Sequence, residues 1–200
     1  EDMGDLLFYI VLGVVIGSRL GYVVFYNLPV YVASPLSIFA VWQGGLSFHG
    51  GLIGTLVAGW LYCRKRNVGF YTLADLAVIP VSLALMLGRV GNFINGELVG
   101  RVTSVPWCFQ FPGYEGCRHP SQLYESAKNF LIFLGLWQLN KKELKPGMLF
   151  WSFVVMYAVL RFFIEFVREP DVQLGFIFGL TMGQWLNIGM LVFGVYFLFK

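Results

Sequence analysis

Long apolar runs separated by short polar or Gly/Pro-rich stretches set the plan of this chain. Six such runs, roughly 5–27, 46–62, 72–95, 122–139, 147–168 and 182–199, approach the ~20 residues that a helix needs to cross a bilayer. None shows the alternation of a barrel strand. The pattern predicts an all-α integral membrane protein with six transmembrane helices, a single transmembrane helical domain over 1–200. Residues 98–121 are too rich in Pro and Gly for a span and read as a small extracytoplasmic loop or head inserted in that domain.

Composition agrees. Of 200 residues, 58% are hydrophobic and only 12% charged, about half the ~25% of a soluble domain. The net charge of +3 is small and scattered, which argues against a nucleic-acid partner. The basic residues still carry information. Arg64, Lys65 and Arg66 follow the second run, Lys141, Lys142 and Lys145 the fourth, and Lys200 the sixth. All fall on one side, which the positive-inside rule makes cytoplasmic, so both ends of the chain are expected there. The acidic start, EDMGD, weighs little in that rule and has neither the basic n-region nor the cleavage site of a signal peptide.

Against this apolar background the polar residues stand out. The third run ends in GRVGNFINGELVG (88–100), with Arg89, Asn92, Asn95 and Glu97 among four glycines. Arg89, Asn92 and Gly96 would share one helix face, and an ionisable group at bilayer depth persists only where a partner or polar cavity accepts it. The bland reading is an arginine snorkelling from a helix end. The fifth run places Tyr157, Arg161, Glu165 and Arg168 at helical spacing on one face. That stripe reads either as a cavity wall or, for Arg161–Glu165, as a buried structural pair. The first run carries Arg19, Tyr22 and Tyr26 as a stripe, with Tyr26 read as aromatic belt.

Residues 28–45 read as an irregular outer arm with a short interfacial segment near 38–42. The second run opens with GGLSFHGG (44–51); Gly50, Gly54 and Ala58 form a small-residue packing face, and His49 is expected just outside that face, near the outer interface. A lone histidine is more often structural than catalytic. In HPSQLYE (119–125), Ser121 reads as an N-cap and Glu125 as an acid suited to the helix dipole. Gln184 and Asn187 lie near the outer end of the last run. Cys108 and Cys117 share the loop on the oxidising side, where a disulfide can form, although spacing does not establish sulfur geometry. Cys63 is expected to be a free thiol, and the cysteines with His119 make no convincing metal site.

By this topology Arg19, His49, Arg89, Asn92, Glu97, Tyr157, Arg161, Glu165 and Arg168 all fall in the outer half of the bilayer. An excess of arginine over carboxylate suits an anionic ligand, and the guanidinium fork matches phosphate. Apolar helices around it suit acyl chains. The residues alone therefore point to an anionic phospholipid without saying what is done to it. A transporter or channel for a small anion is the alternative, weakened by inner halves that lack polar lining. A scaffold whose ion pairs only fix helix packing is a third.

The segment 88–100 resembles the signature of the prolipoprotein diacylglyceryl transferases, G-R-x-G-N-F-x-N-x-E-x-x-G, at Gly88, Arg89, Gly91, Asn92, Phe93, Asn95, Glu97 and Gly100. GGLSFHGG, HPSQLYE and the 157–168 stretch are similar to that family too, so the resemblance covers nearly the whole chain. It implies seven helices in a complete member, one of them ahead of residue 1. It also implies a multi-pass protein of the bacterial inner membrane with its active site facing the outer leaflet. The reaction it implies moves the diacylglyceryl group of phosphatidylglycerol onto the lipobox cysteine of a prolipoprotein, presented with its signal peptide. A thioether forms and glycerol phosphate leaves. Membrane lipids are then partners and no metal or organic cofactor is implied. On that basis His49, Arg89 and Arg161 are candidate catalytic residues. Tyr22, Asn92, Glu97, Gly100, Tyr157, Glu165 and Arg168 are candidate substrate contacts.

Overall fold

The computed structural model describes residues 2–169 and 176–200, apart from the side chains of residues 2, 3, 48, 176 and 177. The chain divides into two compact units, Glu1–Leu73 and Ala74–Lys200.

In the first unit α1 (Asp2–Tyr26) packs along α3 (Phe48–Arg66), joined by a short α2 (Leu28–Ala33) and two 3-10 turns, Pro35–Phe39 and Val41–Gln43. The expected small-residue face of α3 is real, and it meets a matching one on α1. Gly13, Gly17 and Gly21 lie against Gly50, Gly54 and Ala58, so close that a methyl group on any of these glycines would overlap the other backbone. Backbones in that proximity gain dispersion and weak Cα–H contacts, the substitutes for a hydrophobic drive between helices in lipid. Ser47 caps α3, its hydroxyl accepting from the Gly50 N–H at 3.3 Å. His49 lies in the first turn of the helix. At the other end Arg66 pairs with Asp5 of α1.

The irregular arm is held by Arg19. Its guanidinium donates to the carbonyls of Ser37 (2.7 Å), Ile38 (2.8 Å), Ala40 (3.2 Å), Gly44 (2.6 Å) and Gly45 (3.1 Å). It also lies over the Tyr31 ring. The arm keeps its own turn hydrogen bonds, and this one buried cation adds a donor to five of its carbonyls. Arg19 was expected to help form an anion site; its donors are instead engaged by this arm.

The second unit contains most of α4 (Phe70–Ile94), the head, α5 (Ser121–Leu139), α6 (Met148–Ile164), a two-stranded hairpin of β1 (Phe176–Ile177) and β2 (Leu180–Thr181), and α7 (Met182–Leu198). The Asp75 carboxylate of α4 accepts from the Gly147 and Phe150 N–H groups at 2.6 and 2.7 Å, which anchors the start of α6 where the helix dipole favours negative charge. An apolar cluster of Val78, Ile132, Leu136 and Leu149 fills one end of this unit. The other end is polar inside: Gln122, Glu125, Ser126, Lys128, Asn129, Arg161, Glu165, Gln184 and Asn187 are all buried.

The outward faces are the reverse. Each long helix exposes large apolar side chains, among them Phe8, Ile53, Leu76, Leu131, Phe163 and Phe193. Polar inside and apolar outside is the arrangement of a helical protein surrounded by lipid. Gly4–Tyr26 and Phe70–Ile94 are long and apolar enough to cross a membrane; Met148–Ile164 and Met182–Leu198 are shorter apolar helices.

Two predicted helix ends move. The 88–100 segment is not helical throughout. Glu97 N–H bonds Asn92 O (2.9 Å) and Gly96 N–H bonds Phe93 O (3.1 Å) around a left-handed Gly96 at φ 69°. That is the Schellman pattern of a helix stop. Gly96 ends α4 instead of sharing a face with Arg89. Likewise α6 stops at Ile164, so Arg168 is not helical; it pairs with Gly100 in an isolated bridge.

Candidate active site

The head is built on these two helix ends. Gly100 N–H bonds His119 O and Arg101 N–H bonds Val167 O, both at 3.0 Å. Val102 and Phe109 both bridge Arg118, and Cys108 and Cys117 are joined in a disulfide with Cα atoms 5.5 Å apart. Cys63 is a buried free thiol. Phe93 at the end of α4 packs edge-on against Phe109 and Phe111, centroids 5.1 and 5.7 Å away. A Cβ on Gly100 would lie 2.6 Å from His119 O and 2.8 Å from Val167 O. Gly100, taken as a substrate contact, is therefore required by backbone packing.

Beneath the head, α5 begins. Its N-cap is Pro120, and Ser121 is the first helical residue, its hydroxyl donating to Leu98 O at 2.9 Å. Gln122 Nε2 donates to Glu97 O at 2.5 Å. Ser121 and Gln122 thus hold the chain after the helix stop, where Leu98 adopts φ 53°, a conformation costly for a branched side chain. The Glu97 carboxylate accepts from Asn92 Nδ2 at 3.1 Å. Trp107 Nε1 donates to the Tyr124 hydroxyl (2.7 Å), which lies 3.2 Å from His119 Nδ1.

One turn into α5 lies the residue on which the cations converge. Glu125, only 2% exposed, meets Lys128 Nζ of its own helix at 2.7 Å, Arg161 Nε of α6 at 3.1 Å and Arg89 Nε of α4 at 3.9 Å. Ser126 fixes α5 against α4 through Met86 O at 3.1 Å. Arg161 also pairs with Glu165, whose carboxylate lies 3.9 Å from Arg168 Nη1 and accepts from the Thr181 hydroxyl at 3.2 Å. Thr181 and Gln184 form the capping box of α7, so the start of that helix closes the site around Glu165. Lys128 lies 3.8 Å from the centre of the Tyr157 ring.

Of the predicted residues, Arg89, Tyr157, Arg161, Glu165 and Arg168 belong to this network directly, and Asn92 and Glu97 border it through Gln122. Tyr22 and His49 lie in the first unit: Tyr22 stacks on Tyr26 with centroids 5.5 Å apart, and His49 is exposed. Glu125 and Lys128 were missed. From sequence Glu125 reads as an acid suited to the helix dipole. The overlooked signal was a second ionisable residue three positions later in an apolar helix.

Both arginines turn Nε towards one carboxylate, and Arg161 Nη1 is buried with no hydrogen-bond partner among the described residues. Arg161 Nη2 pairs with Glu165, so Nη1 is the terminal nitrogen it offers an anion, while Arg89 meets Glu125 through Nε alone.

The prolipoprotein diacylglyceryl transferase family model matches residues 1–200. The chain belongs to that family. It is 48% identical to the phosphatidylglycerol–prolipoprotein diacylglyceryl transferase of Geobacter sulfurreducens over 198 residues, 98% of this chain and 76% of the relative. With the protein of that name from Chromohalobacter salexigens it shares 52% over 200 residues, 98% of this chain and 74% of the relative. With that of Bordetella parapertussis it shares 50% over 198 residues, 97% and 76%. Members of the diacylglyceryl transferase family are enzymes, and nothing in these similarities supports a transporter or channel.

Proposed function

We propose that this protein transfers the diacylglyceryl group of phosphatidylglycerol to the lipobox cysteine thiol of a prolipoprotein. The observation that carries the reading is the single carboxylate of Glu125, which draws Arg89 and Arg161 from different helices to one spot. In the transfer, the thiolate sulfur attacks the glycerol carbon that bears the phosphate. The carbon–oxygen bond breaks, the electron pair stays on the phosphate oxygen, and glycerol phosphate leaves. Negative charge grows on that leaving group, and fixed guanidinium groups in a water-poor pocket stabilise it. Arg89 and Arg161 are the clamps. Glu125, Glu165 and Tyr157 orient them, with Arg168, Asn92 and Glu97 on the head-group side. Gly100 supplies the close packing that seats the head. A free thiol has a pKa of about 8.5, so a base must take its proton, and His49 is the residue we assign to this step. Tyr22 is assigned to the lipid.

The same reading makes 1–200 one membrane domain of the bacterial inner membrane, with six spans, both ends cytoplasmic and the head at 98–121 facing out. It rests on the basic residues at 64–66, 141, 142, 145 and 200. Cysteines introduced at 112–116 should react with an impermeant reagent from outside, and those at 65–67 only from inside; the reverse pattern would sink the topology.

The activity is tested with the full-length protein, phosphatidylglycerol and a lipobox peptide, following thioether product and released glycerol phosphate. Arg89→Lys and Arg161→Lys keep the charge and lose the two-pronged geometry, so each should reduce turnover roughly a hundred- to thousand-fold. His49→Gln should slow the thiol step and leave lipid binding intact. No product from the parental protein, or near-parental rates from both lysine variants, would overturn the mechanism.

A further inference from the structure

The reaction needs nothing of Lys128 directly, yet the residue occupies a costly position. It sits in the second turn of α5, only 3% exposed, and a buried ammonium persists only with good partners. Its carboxylate partner, Glu125, already has a cation: Arg161 Nε lies 3.1 Å from Oε1. Lys128 therefore duplicates Arg161 if neutralising Glu125 is its whole purpose. What differs is the oxygen. Lys128 Nζ takes Oε2 at 2.7 Å, the same oxygen that Arg89 Nε approaches only to 3.9 Å. The Tyr157 ring, 3.8 Å from the ammonium, holds it there from α6. With Oε2 occupied at hydrogen-bond distance, Arg89 does not close into a two-pronged pair with Glu125, and its side chain remains a quarter exposed.

We infer that Lys128 is a positioning residue for the transfer: by occupying Oε2 of Glu125 it keeps the Arg89 guanidinium off that carboxylate and open to an anionic phosphate. The inference rests on the transferase reading above. Its consequence is specific. Without the ammonium, Arg89 moves the short distance onto Oε2, and the phosphate loses one of its two clamps. A lysine that served packing alone would change the amount of folded enzyme and leave the affinity of each folded molecule for lipid unchanged.

The test is the KM for phosphatidylglycerol in mixed micelles, measured on full-length protein with rates normalised to the folded fraction. Lys128→Met should raise KM at least about tenfold. Adding Glu125→Gln to that variant removes the charge that captures Arg89, so the double variant should recover KM by at least about threefold, although its kcat stays low. Lys128→Gln keeps an N–H donor for Oε2 and should fall between Lys128→Met and the parent; it carries the test if Lys128→Met does not fold. An unmoved KM in the single variants, a double variant no better than Lys128→Met, or failure of both single variants to fold would overturn the inference in favour of packing. Absence of product from the parental protein would instead sink the transferase reading itself, so the two failures are distinguishable.

Discussion

Replacing Glu125 by glutamine tests the centre of the site. The change keeps the volume of a side chain that is 2% exposed and removes its charge. Lys128, Arg161 and Arg89 then lose the carboxylate they meet at 2.7, 3.1 and 3.9 Å. The amide can accept at one end only, so its N–H₂ must face a cation, donor against donor. Four cations in the ion-pair network, Arg89, Lys128, Arg161 and Arg168, are left with Glu165 as their one carboxylate. Removing one partner of a buried pair costs about 3–5 kcal/mol, and at this burial water offers little relief.

The effects on lipid and on rate should differ. Extra positive charge favours an anion, so phosphatidylglycerol should bind Glu125→Gln at least as tightly as the parent. The guanidinium groups lose their common anchor, and fixed orientation is what electrostatic stabilisation of a transition state requires; removing one such contribution costs roughly 2.7–4 kcal/mol, a hundred- to thousand-fold in rate. Thermal unfolding of the detergent-solubilised protein, with and without phosphatidylglycerol, reads both. Glu125→Gln should unfold at lower temperature and gain more from added lipid than the parent, since a ligand that binds only the folded form stabilises it by mass action. An unchanged unfolding midpoint together with turnover within about threefold of parental would refute the reasoning.

Two further outcomes follow from the head. Gly100→Ala places a methyl 2.6–2.8 Å from two backbone carbonyl oxygens that cannot yield separately, so it should detach the 100–119 and 101–167 pairings. Faster proteolysis of the head at unchanged helix content should report this; resistance equal to the parent would refute it. Replacing Cys108 and Cys117 together by serine opens a loop of sequence separation 9, which should cost about 2.5 kcal/mol in head stability and leave turnover per folded molecule unchanged. Proteolysis and turnover measured side by side check this, and a large loss of kcat would show that the head takes part in the chemistry.

Helix positions were legible because apolar runs of bilayer length admit few alternatives, and the small-residue face of α3 was legible because its period is that of a helix. The matching face on α1 was just as regular, but the aromatic stripe of Arg19, Tyr22 and Tyr26 drew the reading away from Gly13, Gly17 and Gly21. Arg89 and Arg161 could be found because charge is rare in such helices. Their common partner could not, since an acid in the first turns of a helix serves a dipole as readily as an ion pair; only the fold tells Glu125 from a cap. The role of Arg19 was likewise hidden, because its partners are carbonyls of residues 37–45 and every residue type supplies a carbonyl. Gly96 and the α6 terminus show the limit of periodicity: polar residues continue at helical spacing past the point where backbone hydrogen bonds have stopped the helix.

The charge balance of the network also bears on the direction of the chemistry. Four cations against Glu125 and Glu165 leave a surplus of two positive charges: buried Lys128 and Arg161 balance the two carboxylates, and the half-buried Arg89 and Arg168 carry the excess. Such a surplus is unfavourable by itself, and a neutral ligand would not relieve it. A phosphodiester brings one negative charge. A phosphate monoester, with its second pKa near 6, carries between about 1.5 and 2 at neutral pH. The site is thus matched more closely to the leaving group than to the intact lipid, which is the differential binding that lowers a barrier. The same match would retain glycerol phosphate after transfer, so release of this product should limit turnover once the thiol step is fast. Added glycerol phosphate should then inhibit competitively against phosphatidylglycerol, more strongly as pH rises through its second ionisation. Inhibition that weakened over that interval would mean that the surplus charge is offset within the protein and that the network binds lipid without discriminating the leaving group.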